Sequence, residues 1–392
     1  MSGARHLFVI AGEPSGDKLG AAMMRGLKTL APETRFSGIG GPLMEGEGLA
    51  SLFPMSELSV MGIAEVLRHL PRLLARVSDA AGAIVRAVPD GLITIDSPDF
   101  CLRVAAKARA GLPHLKTIHY VAPTVWAWRP ERAAKMARHI DHVLALFPFE
   151  PPYMQAEGMS CDFVGHPVVA DPIPDAAEVS AFRASHGFEP GEPLLLVLPG
   201  SRAGEVGRML PVFAEVVAGI HHQSPETRIL VPAAAPVAGT LAEAMKTWPG
   251  SPILLDPRDL PAAEAEARKR LAFAAADLAL AASGTVSLEL AAMATPMVIA
   301  YRFNWLTTRI VKRKVRLKSA TLVNILTDRQ VVPEFLFEAC RADKITPYVL
   351  GLLADPEARQ VQISAADQAL VMLGRGDEEP GLRAARSVLA QL

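Results

Sequence analysis

Twice along this chain, short apolar runs alternate with amphipathic stretches, and that alternation narrows the possible folds more than any single motif. Runs at 6–11, 35–39, 92–95, 116–121, 142–146 and 161–164 read as strands, with helical patterns near 17–30, 65–87, 100–110 and 130–139 between most of them. Strands separated by helices pair in parallel, because the crossover helix returns the chain to the same edge of the sheet, and both sheet faces are then covered. A proline-rich break follows at "GHPVVADPIPDAAEV", residues 165–179, which reads as an interdomain linker. Beyond it the alternation restarts, with strands at 194–198, 228–231, 253–255, 278–281 and 297–300.

The two halves also open alike. "FVIAGEPSGDKLGAAM" and "LVLPGSRAGEVGRML" each run strand, glycine-containing turn, carboxylate, helix. The expected class is α/β, with two Rossmann-like domains facing across a cleft. One spans 1–170 and the other 171–365, and a C-terminal helical segment, 366–392, packs back on the first domain or on a partner subunit. A chain of 392 residues with 50% hydrophobic content can fill two cores. In such sheets ligands bind beyond the carboxyl ends of the strands.

Composition removes several classes of function. A formal net charge of −1 argues against nucleic-acid binding through overall charge. Cys101, Cys161 and Cys340 are far apart and odd in number, which suits a reducing cytoplasm and neither a disulfide framework nor a zinc site. "MSGARHLFVIAG" meets Glu13 and Asp17 at once and reads as a first strand, not a signal peptide. The most apolar stretch, 271–301, is interrupted by Asp277, Gly284 and Glu289, so no segment qualifies as a membrane span.

Two turns have the form of anion sites. Pro199-Gly200-Ser201-Arg202 joins a strand to a helix, where free N–H groups and the helix dipole favour negative charge, and Arg202 adds a fixed cation. "LAASGTVSLELAAM", 280–293, repeats the layout with Ser283-Gly284-Thr285 and places Glu289 in the first turns of the helix. Small residues admit a diphosphate and a carboxylate one turn inward can accept both ribose hydroxyls, so this pair suits a nucleotide diphosphate. The plainer alternative is that Ser283 or Thr285 caps the helix and Glu289 faces solvent.

Asp96 ends the strand in "ITIDSPDF" and is placed to serve as a general base, while Asp99 sits where an ordinary helix begins. His119 and His166 fit a structural role at least as well as a chemical one. Trp126 and Trp128 either line the cleft or fill core. A last feature is the basic and apolar segment 301–322, with Lys312, Arg313 and Lys314 beside Trp305, Leu306 and Ile310. Together with Val60, Met61, Leu67 and Leu70 of "ELSVMGIAEVLRHLPRLLARV", it reads as a membrane-facing surface or else as a solvated helix face.

Taken in order, "AGEPSGDKLGA", "GIGGPLMEGEG", "IDSPDF", "IHYVAPTVWAWRPER", "LALFPFEPPYM", "LPGSRAGEV", "ASGTVSLELA" and "LVNILTDRQVVPEFLFEAC" resemble the lipid-A-disaccharide synthase family over nearly the whole chain. The resemblance implies an inverting glycosyltransferase of the GT-B type, which transfers diacylglucosamine from UDP-diacylglucosamine to the 6-hydroxyl of diacylglucosamine-1-phosphate. It makes Asp96 the essential aspartate, puts Arg202 and Asn324 in the active region, and gives Gly200, Ser201, Ser283, Gly284, Thr285 and Glu289 to UDP. Val323 stands where the family often has proline before the asparagine. An inverting displacement needs a base and positive charge on the departing UDP, which arginine and helix N-termini can supply, so no metal or other cofactor is expected. The resemblance further implies work at the inner face of the cytoplasmic membrane, commonly as a homodimer. Rival readings are another UDP-sugar enzyme such as a UDP-N-acetylglucosamine epimerase, and a non-catalytic nucleotide-sugar or lipid-binding protein.

Overall fold

The structure is a computed structural model that describes residues 5–58, 63–127, 129–302 and 319–392, with backbone alone over 63–69. It divides into two compact units, Met1–Ala170 together with Leu373–Leu392, and Asp171–Met372.

In the first unit the chain runs β1 (His6–Ala11), α1 (Pro14–Leu30), β2 (Arg35–Ile39), α2 (Pro42–Gly46), β3 (Ala50–Ser51), α3 (Ile63–Ala87), β4 (Gly91–Ile95) and α4 (Pro98–Gly111). It continues through β5 (Lys116–Tyr120), α5 (Glu131–Ala137), β6 (His142–Ala145), α6 (Pro151–Gln155) and β7 (Ser160–Phe163). All strands pair in parallel in the order β3-β2-β1-β4-β5-β6-β7. The order reverses between β1 and β4, and this switch point opens a crevice at the strands' carboxyl ends.

The second unit contains α7 (Ala176–Ser185), β8 (Leu194–Leu198), α8 (Ala203–Gln223), β9 (Arg228–Pro232), α9 (Ala238–Met245), β10 (Ile253–Leu255), α10 (Ala262–Ala275), β11 (Leu278–Ala282), α11 (Val286–Ala292) and β12 (Met297–Tyr301). After them come α12 (Leu322–Thr327), β13 (Glu334–Leu336), α13 (Ala342–Ala354) and α14 (Pro356–Met372). Its parallel order, β10-β9-β8-β11-β12-β13, switches between β8 and β11. Every residue of β8 and β11 is buried, as strands covered on both faces require. On α8, Val206, Met209, Val212, Phe213, Val216, Val217 and Ile220 form one apolar stripe against the sheet and against Ile345 and Val349 of α13. Full burial of each such side chain contributes about 1.5–3 kcal/mol.

Three details depart from the sequence reading. The linker is shorter than 165–179, because α7 starts at Ala176 with a capping box: Asp175 accepts the Glu178 N–H at 2.8 Å and Glu178 accepts the Asp175 N–H at 2.8 Å. Strands β3 (Ala50-Ser51) and β13 (Glu334-Phe335-Leu336) lack the unbroken apolar run by which the similarly short β10 (Ile253-Leu254-Leu255) stands out in the sequence. The return to the first unit falls at Leu373, later than 366, because α14 runs unbroken to Met372 as part of the second unit.

After that return, α15 (Pro380–Gln391) packs on α1 of its own chain through small residues. A Cβ on Gly26 would lie 2.8 Å from the Gly381 carbonyl oxygen, and one on Gly381 would lie 2.7 Å from that of Ala22, so the two backbones nearly touch. Ser387 of α15 donates to Asp162 at 2.6 Å and lies 2.8 Å from Nε2 of the buried His142.

Candidate active site

A cavity of about 890 Å³ lies in the second unit, at the carboxyl ends of β8, β9, β10 and β11 and therefore at the switch point. The turn after β8 forms one wall. Gly200 has φ +123°, and a Cβ there would fall 2.3 Å from Oε2 of Glu205, so only glycine fits. Glu205, in the first turn of α8, folds back and accepts the Ser201 N–H at 3.1 Å. One N–H of the turn is thus met by the chain's own carboxylate. Glu205 engages the Ser201 N–H alone, as the preference of helix N-termini for negative charge favours, and Gly200, Ser201 and Arg202 all line the cavity. Arg202 is exposed and lines the cavity. Burial, followed by the Glu205 charge, pushes the neighbouring Tyr301 phenol up, with Arg208 opposing.

The turn after β11 forms the facing wall. Thr285 stands at the N-terminus of α11 with helical φ and ψ, and no side chain caps that helix. The capping alternative for Ser283 and Thr285 therefore fails. The nearby hydroxyl bond runs from Ser287 to the Gly284 carbonyl, at 2.9 Å. A Cβ built on Gly284 meets nothing within 4 Å, so open space adjoins the turn where a phosphate would need it.

Glu289 lines the same cavity but is not solvated alone, because Lys269 Nζ lies 2.8 Å from its Oε2 and 3.0 Å from Oε2 of Glu266. Burial acts to lower the Lys269 pKa, but the two carboxylates outweigh it and hold the amine above its ordinary value. Pro232, Leu255, Pro257 and Leu260 make an apolar end to the cavity, beside the Asp256–Arg258 ion pair at 2.5 Å.

In the first unit Asp96 and Ser97 follow β4 with φ of 51° and 42°, two consecutive non-glycine residues in the left-handed region. Such residues cost on the order of 1–2 kcal/mol each, and strain of this kind gathers at functional sites. Three bonds hold the bend: Asp96 N–H donates to the Tyr120 carbonyl at 3.0 Å, and the Ser97 carbonyl accepts from Phe100 and Cys101 at 3.1 and 3.0 Å. Gly12, after β1, abuts Ser97 so closely that a Cβ would sit 2.5 Å from its Oγ. Asp96 thus stands half-buried at the switch point of its sheet, whereas Asp99 is exposed in the first turn of α4.

His119 is core: its Nδ1 lies 2.8 Å from Thr94 Oγ1, and burial pushes its pKa down to about 4, so it is neutral at physiological pH. His166 accepts the Val168 N–H at 3.2 Å, and burial followed by the Lys18 charge pushes it down to about 4. Trp126 packs edge-on to Phe149 and Phe147 and donates from Nε1 to the buried Glu150 at 3.2 Å. Glu150 also accepts the Leu146 and Phe147 N–H groups at 3.1 and 3.0 Å, and burial outweighs these bonds to push its carboxyl up to about 7. Trp128 lies outside the described residues.

Asn324 does not line the cavity. It is buried, with Nδ2 donating to the Val332 carbonyl at 2.9 Å and to Glu334 at 3.1 Å, and Oδ1 accepting from Val331 and Val332 at 3.0 and 2.9 Å. Both its donors and both its acceptor sites are used. It clamps the chain entering β13.

Of the membrane-facing candidates, Val60, Met61, Trp305, Leu306, Ile310, Lys312, Arg313 and Lys314 lie outside the described residues, and Leu67 falls where only backbone is described. Leu70 and Leu74 on α3 are 39% and 44% exposed. Arg72 and Arg76 of that helix pair with Glu57 at 3.1 and 2.7 Å, so these two cations serve an intramolecular contact. Among the described residues no helix is long and apolar enough to cross a membrane.

Two doubly wound parallel sheets, with a nucleotide-sized cavity of mixed polar and apolar lining at the switch point of the second, define a two-domain α/β protein of the GT-B type. A crystal structure of UDP-GlcNAc 2-epimerase from Neisseria meningitidis bound to UDP-GlcNAc shares this fold with a TM-score of 0.60 over 98% of each chain, at 10% identity. The family described as lipid-A-disaccharide synthetase matches residues 7–378. Lipid-A-disaccharide synthase of Ruegeria pomeroyi is 53% identical over 98% of this chain and 95% of its own, and that of Rhodospirillum centenum 46% identical over 98% and 94%. The chain belongs to the lipid-A-disaccharide synthase family, whose members are glycosyltransferases.

Proposed function

We propose that the chain transfers diacylglucosamine from UDP-diacylglucosamine to the 6-hydroxyl of diacylglucosamine-1-phosphate. The observation that carries this reading is the cavity between the Gly200–Arg202 and Ser283–Thr285 turns, with Glu289 on its wall, in a chain of this family. The UDP-GlcNAc carried by the similarly folded epimerase supports UDP as the nucleotide.

The acceptor oxygen attacks the anomeric carbon from the side opposite the diphosphate, the carbon–oxygen bond to UDP breaks, and the configuration inverts to a β-1,6 linkage. Asp96 takes the hydroxyl proton, and UDP leaves with the bonding electrons. Arg202 and the N–H groups of the Ser283–Thr285 turn stabilise the charge that grows on the leaving diphosphate. Glu289 accepts the ribose hydroxyls, and Asn324 positions the adjoining chain. The acyl chains are gathered at the inner face of the cytoplasmic membrane, where α3 and the basic 301–322 segment supply apolar and cationic groups.

Incubation with both acylated sugars tests the proposal. UDP should appear in proportion to a disaccharide 1-phosphate identified by mass, and only when the acceptor is present. Equal UDP release without acceptor would make the chain a hydrolase, and no release would make it a binding protein.

A further inference from the structure

The cavity wall contains a cation that the reading above does not use. Lys269 reaches from α10 to Glu289 on α11, with Nζ 2.8 Å from Oε2, and it is tied from its other side by Glu266 at 3.0 Å. Its amine lies over the ring of the buried Phe273, 5.9 Å from its centre. Lys269 and Glu289 are each about one-third exposed, 31% and 34%, so the pair is neither dissolved in solvent nor sealed in the core. Glu266 has a second cation, Arg270, at 3.7 Å, so Lys269 is not needed to neutralise it alone.

We propose that Lys269 is a positioning residue for the nucleotide's ribose, holding the Glu289 carboxylate in one rotamer so that it meets the two ribose hydroxyls without first being ordered. This rests on the reading that the cavity takes UDP. A glutamate has three side-chain torsions, and freezing them on binding weakens affinity; an ion pair that freezes them beforehand removes that cost. Because the ion pair engages one carboxylate oxygen, the carboxylate keeps capacity to accept from a vicinal diol. The cation thereby acts on ribose recognition through Glu289, and not on the diphosphate.

Calorimetry with UDP and 2′-deoxy-UDP on the full chain separates this role from a merely structural one. The unmodified chain should prefer UDP by on the order of 10-fold or more, as expected for a hydroxyl bound to a charged acceptor. In Lys269→Met that preference should collapse toward equality through loss of UDP affinity, with 2′-deoxy-UDP binding little changed. Lys269→Arg should restore it, and Lys269→Met should have no added effect on the preference in a Glu289→Gln background. A wild-type preference in Lys269→Met overturns the proposal, as does an equal loss for both nucleotides, which would place Lys269 on the diphosphate. Should the unmodified chain bind both nucleotides equally, the ribose role of Glu289 fails as well, and binding of neither would overturn the UDP reading itself.

Discussion

Glu289 has a carboxylate in the cavity, an ionic partner and no capping duty, and these three facts decide how its loss should behave. On the proposed ribose role, Glu289→Ala removes hydrogen bonds made to a charged group, so UDP affinity should fall by roughly 1.5–3 kcal/mol, about 10- to 150-fold. Unchanged UDP affinity by calorimetry would return the residue to the helix surface. Glu150 makes a different kind of prediction. Its carboxyl is pushed up to about 7 by burial, above the value of a glutamate in an unfolded chain. The folded state therefore keeps a proton that the unfolded state gives up between about pH 4.3 and 7, and the associated stability is fully present below that window. It is lost as pH rises through the window, by on the order of 3 kcal/mol in total. Glu150→Gln has no proton to lose, so its melting temperature relative to wild type should improve from about pH 5 to about pH 7.5. A difference that stays constant across that range contradicts the account. None of this was visible in the sequence, because Glu150 is buried by Trp126 and by the end of β6, and Lys269 meets Glu289 only after α10 and α11 are packed. Glu205 was closer to legible, since a glutamate three residues after the N-cap Arg202 is at the spacing from which a carboxylate folds back on a helix N-terminus, here onto the Ser201 N–H.

Elements were read more securely than residues, for a physical reason. A buried parallel strand must be apolar at every position, so β8 and β11 announce themselves, and the helices between them follow from the need to cross over. Strands β3 and β13 have no unbroken apolar run to mark them, unlike the similarly short β10, and the seat of α15 on α1 depends on glycines far apart in the chain. That crossing gives a direct test. In Gly381→Leu the new side chain would meet backbone of α1, which cannot move aside as a flexible side chain can, and overpacking of this kind costs about 1–3 kcal/mol. Thermal unfolding should show the loss, and a melting temperature equal to wild type would mean that α15 does not sit there. For the proposed membrane contact, vesicle sedimentation should show binding that rises with anionic lipid and falls with salt. It should weaken when Lys312, Arg313 and Lys314 become serine, each cation contributing about 1 kcal/mol near such a surface. Equal binding to neutral and anionic vesicles would leave that segment an ordinary solvated face.

For the whole molecule, two sheets of one topology place two different sets of side chains at equivalent positions, to which the proposed function assigns different chemistries. The switch point of the second unit has a cavity with backbone N–H groups, an exposed arginine and a paired carboxylate, and that of the first has Asp96 in a strained bend. This division predicts that nucleotide binding and proton removal can be damaged separately. The most direct test measures turnover and UDP affinity on the same preparation of Asp96→Asn, with Asp99→Asn as control. Asp96→Asn keeps the shape of the side chain and removes its basicity, so turnover should fall by about 10²–10⁴-fold while the Kd for UDP stays at the wild-type value. Near-normal turnover in the folded variant, or an equal loss in Asp99→Asn, would contradict the assignment of Asp96 as the base.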